Sequence, residues 1–223
     1  MSMTEFKKTG LPDPNRFSHR LMELRTGLQT RSPAGLAAMT GAEWLPGGEG
    51  CGKFRLRLWG SPLEISYPTW TAVRYAENLA IPEFELALLL YYFQTADGIP
   101  VESTWISFSE LPEGKFYNQA FLSYTGKELA NIFSNDLPAF RRAAGSLGGT
   151  PERLGHAAFR FQALPRVPLL VVYWLGDEDL SSSAQVLFDR SASHYLPTDA
   201  YAILGSAITH KLIAARTAQL NPK

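Results

Sequence analysis

Hydrophobic positions along the chain change period several times, and each change marks an element. Phe17, Leu21, Leu24 and Leu28 recur at helical spacing and make one apolar stripe. Ser32 followed by Pro33 reads as an N-cap with proline at the first helical position, and Gly41 as the stop of that short second helix. The period then drops to two. In Lys53-Phe54-Arg55-Leu56-Arg57-Leu58-Trp59 the even positions are apolar and the odd ones mainly polar, the mark of a half-buried strand. Gly60-Ser61 reads as a two-residue turn with glycine first, and Leu63-Glu64-Ile65-Ser66-Tyr67 alternates again, which predicts a β-hairpin. Pro82 opens a helix through Leu86, Leu88, Leu89, Leu90, Tyr91, Tyr92 and Phe93. It is apolar nearly all round after Glu85, so it belongs in the core. Asp97-Gly98 ends it.

The second half continues the pattern. Trp105, Ile106 and Phe108 read as another strand. Thr125 with Glu128 three residues later predicts a capping box for a short helix. Asp136 caps the next, which stops at Gly148-Gly149. Three strands follow. Residues 157–163 place Phe159 and Phe161 on one face and Arg160 on the other. Pro168-Leu169-Leu170-Val171-Val172-Tyr173-Trp174 is apolar on both faces, as a central strand is, and Gln185-Val186-Leu187-Phe188 is the third. The spacing between them is too short for helical crossovers, which predicts antiparallel neighbours. Pro197 and Thr198 open a final helix with Tyr201, Leu204, Ile208, Leu212 and Ala215 on its inner face. This order predicts an α+β fold: mostly antiparallel sheets packed against a buried central helix and the N- and C-terminal helices. No linker-like stretch divides the chain. Residues 14–223 are therefore expected to form a single domain, after a flexible polar arm over residues 1–13.

Composition narrows the partners. Lysine and arginine number 21, matched by 21 acidic residues, and a basic excess is what a nucleic-acid surface normally shows. The balance also leaves little repulsion between copies, which suits a homo-oligomer. The single cysteine, Cys51, rules out an internal disulfide and cysteine-rich zinc or iron–sulfur sites, and fits a reducing, cytoplasmic setting. The first thirty residues hold no apolar run of the kind a secretory signal needs. The longest apolar run, residues 86–93, is far short of the ~20 residues that cross a bilayer, so no membrane partner is expected.

Chemistry is sparse. Gly47-Gly48-Glu49-Gly50-Cys51-Gly52-Lys53-Phe54 approaches a phosphate-binding loop. However, Phe54 stands where a hydroxyl should hold magnesium, and a strand follows instead of a helix, so the segment reads as a strand connection. Cys51 has only Lys53 nearby to lower its pKa, which favours an incidental thiol. Asp177-Glu178-Asp179 lacks the alternating ligands of a calcium loop and reads as a polar turn. The junction His194-Tyr195-Leu196-Pro197-Thr198-Asp199 carries more information, because strand-to-helix loops often bear function. His194 suits a general base oriented by Asp189 or Asp199, an axial ligand to a metal in a macrocycle, or a plain structural hydrogen bond. There is no Gly-x-Ser-x-Gly elbow for a serine hydrolase, and His19, His156 and His210 are isolated, so no metal site is expected. The aromatic load of this half serves core packing first. The sharper reading is an apolar pocket for a planar ligand, with His194, Tyr195, Trp105, Tyr117, Arg160 and Trp174 as its contacts.

Two blocks carry a family resemblance. The first is Thr95-Ala96-Asp97-Gly98, then Trp105-Ile106-Ser107-Phe108-Ser109-Glu110-Leu111-Pro112 and Gly114-Lys115-Phe116-Tyr117. The second is Phe159-Arg160-Phe161, Leu164-Pro165, Pro168-Leu169-Leu170, Trp174, Gly176-Asp177-Glu178, Leu187-Phe188-Asp189 and His194-Tyr195-Leu196-Pro197. Together they resemble a prokaryotic family known as domain of unknown function 3786, over roughly residues 45–215. The resemblance implies a setting in anaerobes and relatives linked to cysteine-rich iron–sulfur or corrinoid-type modules. With Cys51 alone this chain departs from those modules, so a corrinoid or redox role would come through a partner protein or a bound ligand. The expectation is a non-catalytic cofactor-binding or accessory protein, linked to corrinoid, tetrapyrrole or iron–sulfur partners. The alternatives are a small enzyme centred on His194 and a structural interaction module.

Overall fold

A computed structural model describes residues 14–220. The expected arm over residues 1–13 lies outside the described residues. The fold is α+β, with two five-stranded sheets in the orders β1-β2-β3-β4-β5 and β6-β10-β9-β8-β7. The chain divides into two compact units. One runs through Pro100 and includes Leu164–Arg166 and His194–Asp199; the other holds Val101–Ala163, Val167–Ser193 and the chain from Ala200 onward.

The first unit begins with helices α1 (Pro14–Gln29) and α2 (Pro33–Thr40). The stripe of α1 is buried at Leu21, Leu24 and Leu28. The Ser32 side chain accepts the Gly35 N–H, and Gly41 closes α2 in the left-handed region, φ 70°. Strands β1 (Glu43–Pro46), β2 (Gly52–Leu58), β3 (Ser61–Tyr67), β4 (Thr71–Arg74) and β5 (Leu79–Ala80) form an antiparallel meander. Leu58 pairs with Ser61, so the hairpin turn is Trp59-Gly60, one residue earlier than the glycine-first reading. Both turn residues have positive φ, 50° and 79°, the combination whose twist matches the flanking strands. Helix α3 (Glu83–Thr95) is buried from Leu86 to Leu90 and at Tyr92 and Phe93, as expected of the segment after Glu85. Its Phe93 ring lies 4.8 Å from Phe54 of β2 and 5.3 Å from Trp70, in an aromatic cluster that binds helix to sheet.

The outer face of this sheet is charged. Glu64 is nonetheless buried, because the Lys53 ammonium and the Arg55 guanidinium each approach it at 2.8 Å. The hydrogen bond from Lys53 holds its carboxyl below the usual carboxylate range; burial opposes this, and Arg55 adds to it.

The second unit contains β6 (Trp105–Ser107), a 3-10 turn at Phe108–Glu110, helices α4 (Gly114–Ser123), α5 (Gly126–Phe133) and α6 (Leu137–Ser146), and strands β7 (Thr150–Glu152), β8 (Ala157–Leu164), β9 (Val167–Trp174) and β10 (Ser183–Asp189). A second 3-10 turn, Arg190–His194, leads to α7 (Thr198–Leu220). Strand β9 is central and buried from Val167 to Tyr173. Phe188 of β10 meets Phe108, Phe121 of α4 and Tyr201 of α7, while Tyr173 of β9 meets Phe133 of α5 and Phe140 of α6. Helices therefore cover that sheet face. On the other face Ala158, Leu170, Val172 and Leu187 form a cluster with Trp105 and Trp174 packed against it.

Two capping expectations diverge. Asp136 accepts the Ala139 N–H at 3.0 Å, as its sequence context predicts. Thr125 does not cap α5: its hydroxyl donates back to the Phe121 carbonyl at 2.6 Å, because α4 runs almost directly into α5.

Candidate functional site

The most chemically organised group among the described residues is a histidine–carboxylate pair in the first unit. Helix α3 ends at Thr95, and Asp97 follows in a turn that Gly98 permits with φ 85°. The Asp97 Oδ1 accepts the Ile99 N–H at 3.1 Å, which fixes the carboxylate against its own backbone. Its Oδ2 meets His194 Nδ1 at 2.6 Å. His194 ends the 3-10 turn Arg190–His194, three residues before Pro197 in the chain. The side chains of His194 and Asp97 are 39% and 46% exposed, so the imidazole is reachable from solvent.

The electrostatics follow from this geometry. Burial works to raise the Asp97 carboxyl, but the hydrogen bonds from His194 and from the Ile99 N–H outweigh it and hold the group below the usual carboxylate range. A carboxylate on Nδ1 places the ring proton there and leaves Nε2 as the basic nitrogen. That nitrogen can take a proton or bind a metal.

The residue after His194 secures the same turn. Tyr195 is fully buried, and its hydroxyl donates to the Ile99 carbonyl. Its ring packs 6.1 Å from Tyr92 of α3. The Tyr92 hydroxyl donates to the Thr40 carbonyl at 2.5 Å and accepts the Arg166 N–H at 3.2 Å. Burial pushes this phenol well above its ordinary value.

The acidic partner of His194 is thus Asp97, in place of the expected Asp189 or Asp199. Asp189 is buried at the end of β10, where its Oδ1 accepts the N–H groups of Glu102 and Ser191, each at 3.0 Å, and the Ser191 hydroxyl at 2.6 Å. It closes the chain where β10 leaves the sheet. Asp199 lies in the first turn of α7.

Among the other expected ligand contacts, strand alternation puts Trp105, Trp174 and Arg160 on the same face of the second sheet, the face of the Leu170 and Val172 cluster. Arg160 pairs there with Glu152 at 3.5 Å. Tyr117 belongs to α4, which packs against the opposite face through Phe121.

The near-miss phosphate loop is a strand connection. Gly52 opens β2, the Lys53 ammonium is committed to Glu64, and Phe54 is in the core. Cys51 is exposed at its end, next to β2. No helix among the described residues is long and apolar enough to cross a membrane, and no group of three or more His, Cys, Asp or Glu side chains among them could hold a bare metal ion.

No curated protein and no solved structure matches the chain. The family model described as Domain of unknown function (DUF3786) matches residues 32–211, from the N-cap of α2 into α7 and so beyond the expected start near residue 45, and the chain belongs to that family.

Proposed function

We propose that this protein is a non-catalytic accessory protein whose His194 imidazole would hold the metal of a planar macrocycle, a corrinoid or another tetrapyrrole. The observation that carries the reading is the 2.6 Å contact between Asp97 Oδ2 and His194 Nδ1 on a half-exposed ring. Metal-bound histidines characteristically donate their second ring N–H to a carboxylate, which fixes the tautomer and raises the basicity of the ligating nitrogen. A bare ion needs several protein donors, whereas a macrocycle brings four of its own and asks for one. The residues present suit the second case. His194 would hold the metal, Asp97 would orient His194, and the bound group would supply the redox or group-carrier chemistry. The cytoplasm of an anaerobic prokaryote, with a corrinoid- or iron–sulfur-bearing partner protein, completes the reading. Family resemblance and the lone Cys51 support that part.

A second reading rests on the same pair. An imidazole oriented by a carboxylate, with Nε2 open, is also the arrangement of a general base in a small enzyme. The two readings separate in protein purified without oxygen from its native host. The first predicts an absorption band in the visible, beyond the tryptophan band, that a His194→Ala variant prepared the same way lacks or shows displaced. Colourless protein that turns over a substrate in a His194-dependent manner favours the second. Identical coloured spectra for both proteins contradict the first.

A further inference from the structure

We infer that Tyr195 is a positioning residue for the His194 imidazole, acting through the turn that carries Asp97. The inference deepens the His194–Asp97 reading and rests on it. Three hydrogen-bonding contacts and one step along the chain close a ring. Tyr195 donates to the Ile99 carbonyl. The Ile99 N–H donates to Asp97 Oδ1 at 3.1 Å. Asp97 Oδ2 meets His194 Nδ1 at 2.6 Å. His194 is bonded to Tyr195 along the chain.

The two clamps differ in kind. The His194–Asp97 pair is open to water on both sides, and exposed pairs of this sort hold little by themselves. The Tyr195 hydroxyl bond is made by a side chain with no exposed surface, whose ring is seated on Tyr92. Order in the exposed dyad therefore comes from the buried tyrosine. The Ile99 carbonyl belongs to the Ile99–Pro100 peptide and the Ile99 N–H to the Gly98–Ile99 peptide, and the two meet at the Ile99 Cα. Pinning the carbonyl therefore restrains the turn from which the N–H donates to Asp97 Oδ1 and leaves the second carboxylate oxygen aimed at the imidazole. Preorganisation by a buried support is what a ligating or basic side chain requires.

Tyr92 supplies the control. It is buried to the same degree and makes two hydroxyl hydrogen bonds, to Thr40 and Arg166, but none to residues 97–99. Tyr92→Phe therefore tests loss of a buried hydroxyl as such, and Tyr195→Phe tests loss of the positioning contact.

The experiment is nitrogen-15 NMR of the imidazole rings in the intact chain, in the pH range where His194 is neutral, together with carbon-13 titration of the Asp97 carboxyl. In the parent protein His194 gives the Nδ1-protonated tautomer and Asp97 titrates below the ordinary range. Tyr195→Phe moves population to the Nε2-protonated tautomer and raises the Asp97 midpoint toward the ordinary value, whereas Tyr92→Phe lowers Tm while leaving both signals in place. A Tyr195→Phe protein that is folded and keeps the parent tautomer and Asp97 titration overturns the positioning role and leaves the dyad intact. A parent protein whose His194 is Nε2-protonated overturns the dyad reading itself. Should Tyr195→Phe fail to fold, hydrogen exchange of the Ile99 amide in the parent protein decides: protection supports the held turn, and exchange at an unstructured rate overturns it.

Discussion

Glu64 and its two cations should respond to mutation with opposite costs depending on which side is removed. The carboxylate is the buried member, with 7% of its side chain exposed, while Lys53 and Arg55 are 54% and 41% exposed. Glu64→Ala frees two cations that water can solvate. Its cost is the sum of two part-exposed ion pairs, about 1 kcal/mol. Changing Lys53→Met and Arg55→Met together keeps the aliphatic stems and leaves a buried charge with no partner, which costs about 3–5 kcal/mol. Arg55 also lies over the Tyr75 ring at 4.9 Å, a contact that the double variant removes as well. For a chain of this size, at about 2–4 °C per kcal/mol, the double variant should melt roughly 6–20 °C lower and Glu64→Ala only a few degrees lower.

The pH dependence carries a sign. The folded Glu64 carboxyl is depressed below its ordinary value of 4.5, so its contribution is fully present above that pH and is lost as pH falls through the lower, folded value. In the double variant, burial without cations pushes the group upward, so that protein regains relative stability on acidification. Urea unfolding at neutral pH and near pH 4, read as a change in midpoint at constant slope, measures both. A Glu64→Ala variant less stable than the double variant refutes the asymmetry, and so does a double variant that loses stability on acidification as fast as the parent.

Other outcomes follow from the core and the glycine-rich loop. Leu170 has no exposed surface and packs with Val172, Ala158 and Leu187, so Leu170→Ala should cost about 2–5 kcal/mol in urea unfolding; a cost under about 1 kcal/mol contradicts its place in that cluster. ATP at millimolar concentration should leave Tm unchanged, because Lys53 is paired with Glu64 and a strand follows the loop; a rise in Tm abolished by Lys53→Ala contradicts this.

Long, strongly patterned segments are legible in the sequence. Helix α3, the β2–β3 hairpin, the central strand β9 and the antiparallel β9–β10 pair all follow from their periodicity. Strands β1, β4, β5 and β7 escape the same reading because they are only 4, 4, 2 and 3 residues long, too short to display a period. The hairpin turn is displaced by one residue because Trp59 takes a positive φ that a bulky side chain rarely adopts, so glycine marks the second turn position and not the first. Thr125 with Glu128 has the spacing of a capping box, yet Thr125 finds a nearer carbonyl in the preceding helix.

The site divides in the same way. His194 stands out because of its junction, whereas its partner does not. Asp97 lies 97 positions earlier and reads locally as the punctuation that ends α3. Asp189 and Asp199 are near in sequence, and nearness along the chain is the wrong criterion for a side chain placed by tertiary structure. Asp97 and His194 both fall within residues 32–211, the span that the family model matches.

The most direct test of the central claim is an equilibrium absorption titration of the purified chain with aquocobinamide, a corrinoid without its own nitrogenous base, and in parallel with haem. The parent protein should shift the band of at least one of the two to that of an imidazole adduct. His194→Ala should abolish the shift, and Asp97→Asn should weaken binding by about 10–100-fold, the usual effect of removing a carboxylate behind a ligating histidine. Spectra that do not change with either probe, or that change equally in the parent and in His194→Ala, contradict the account.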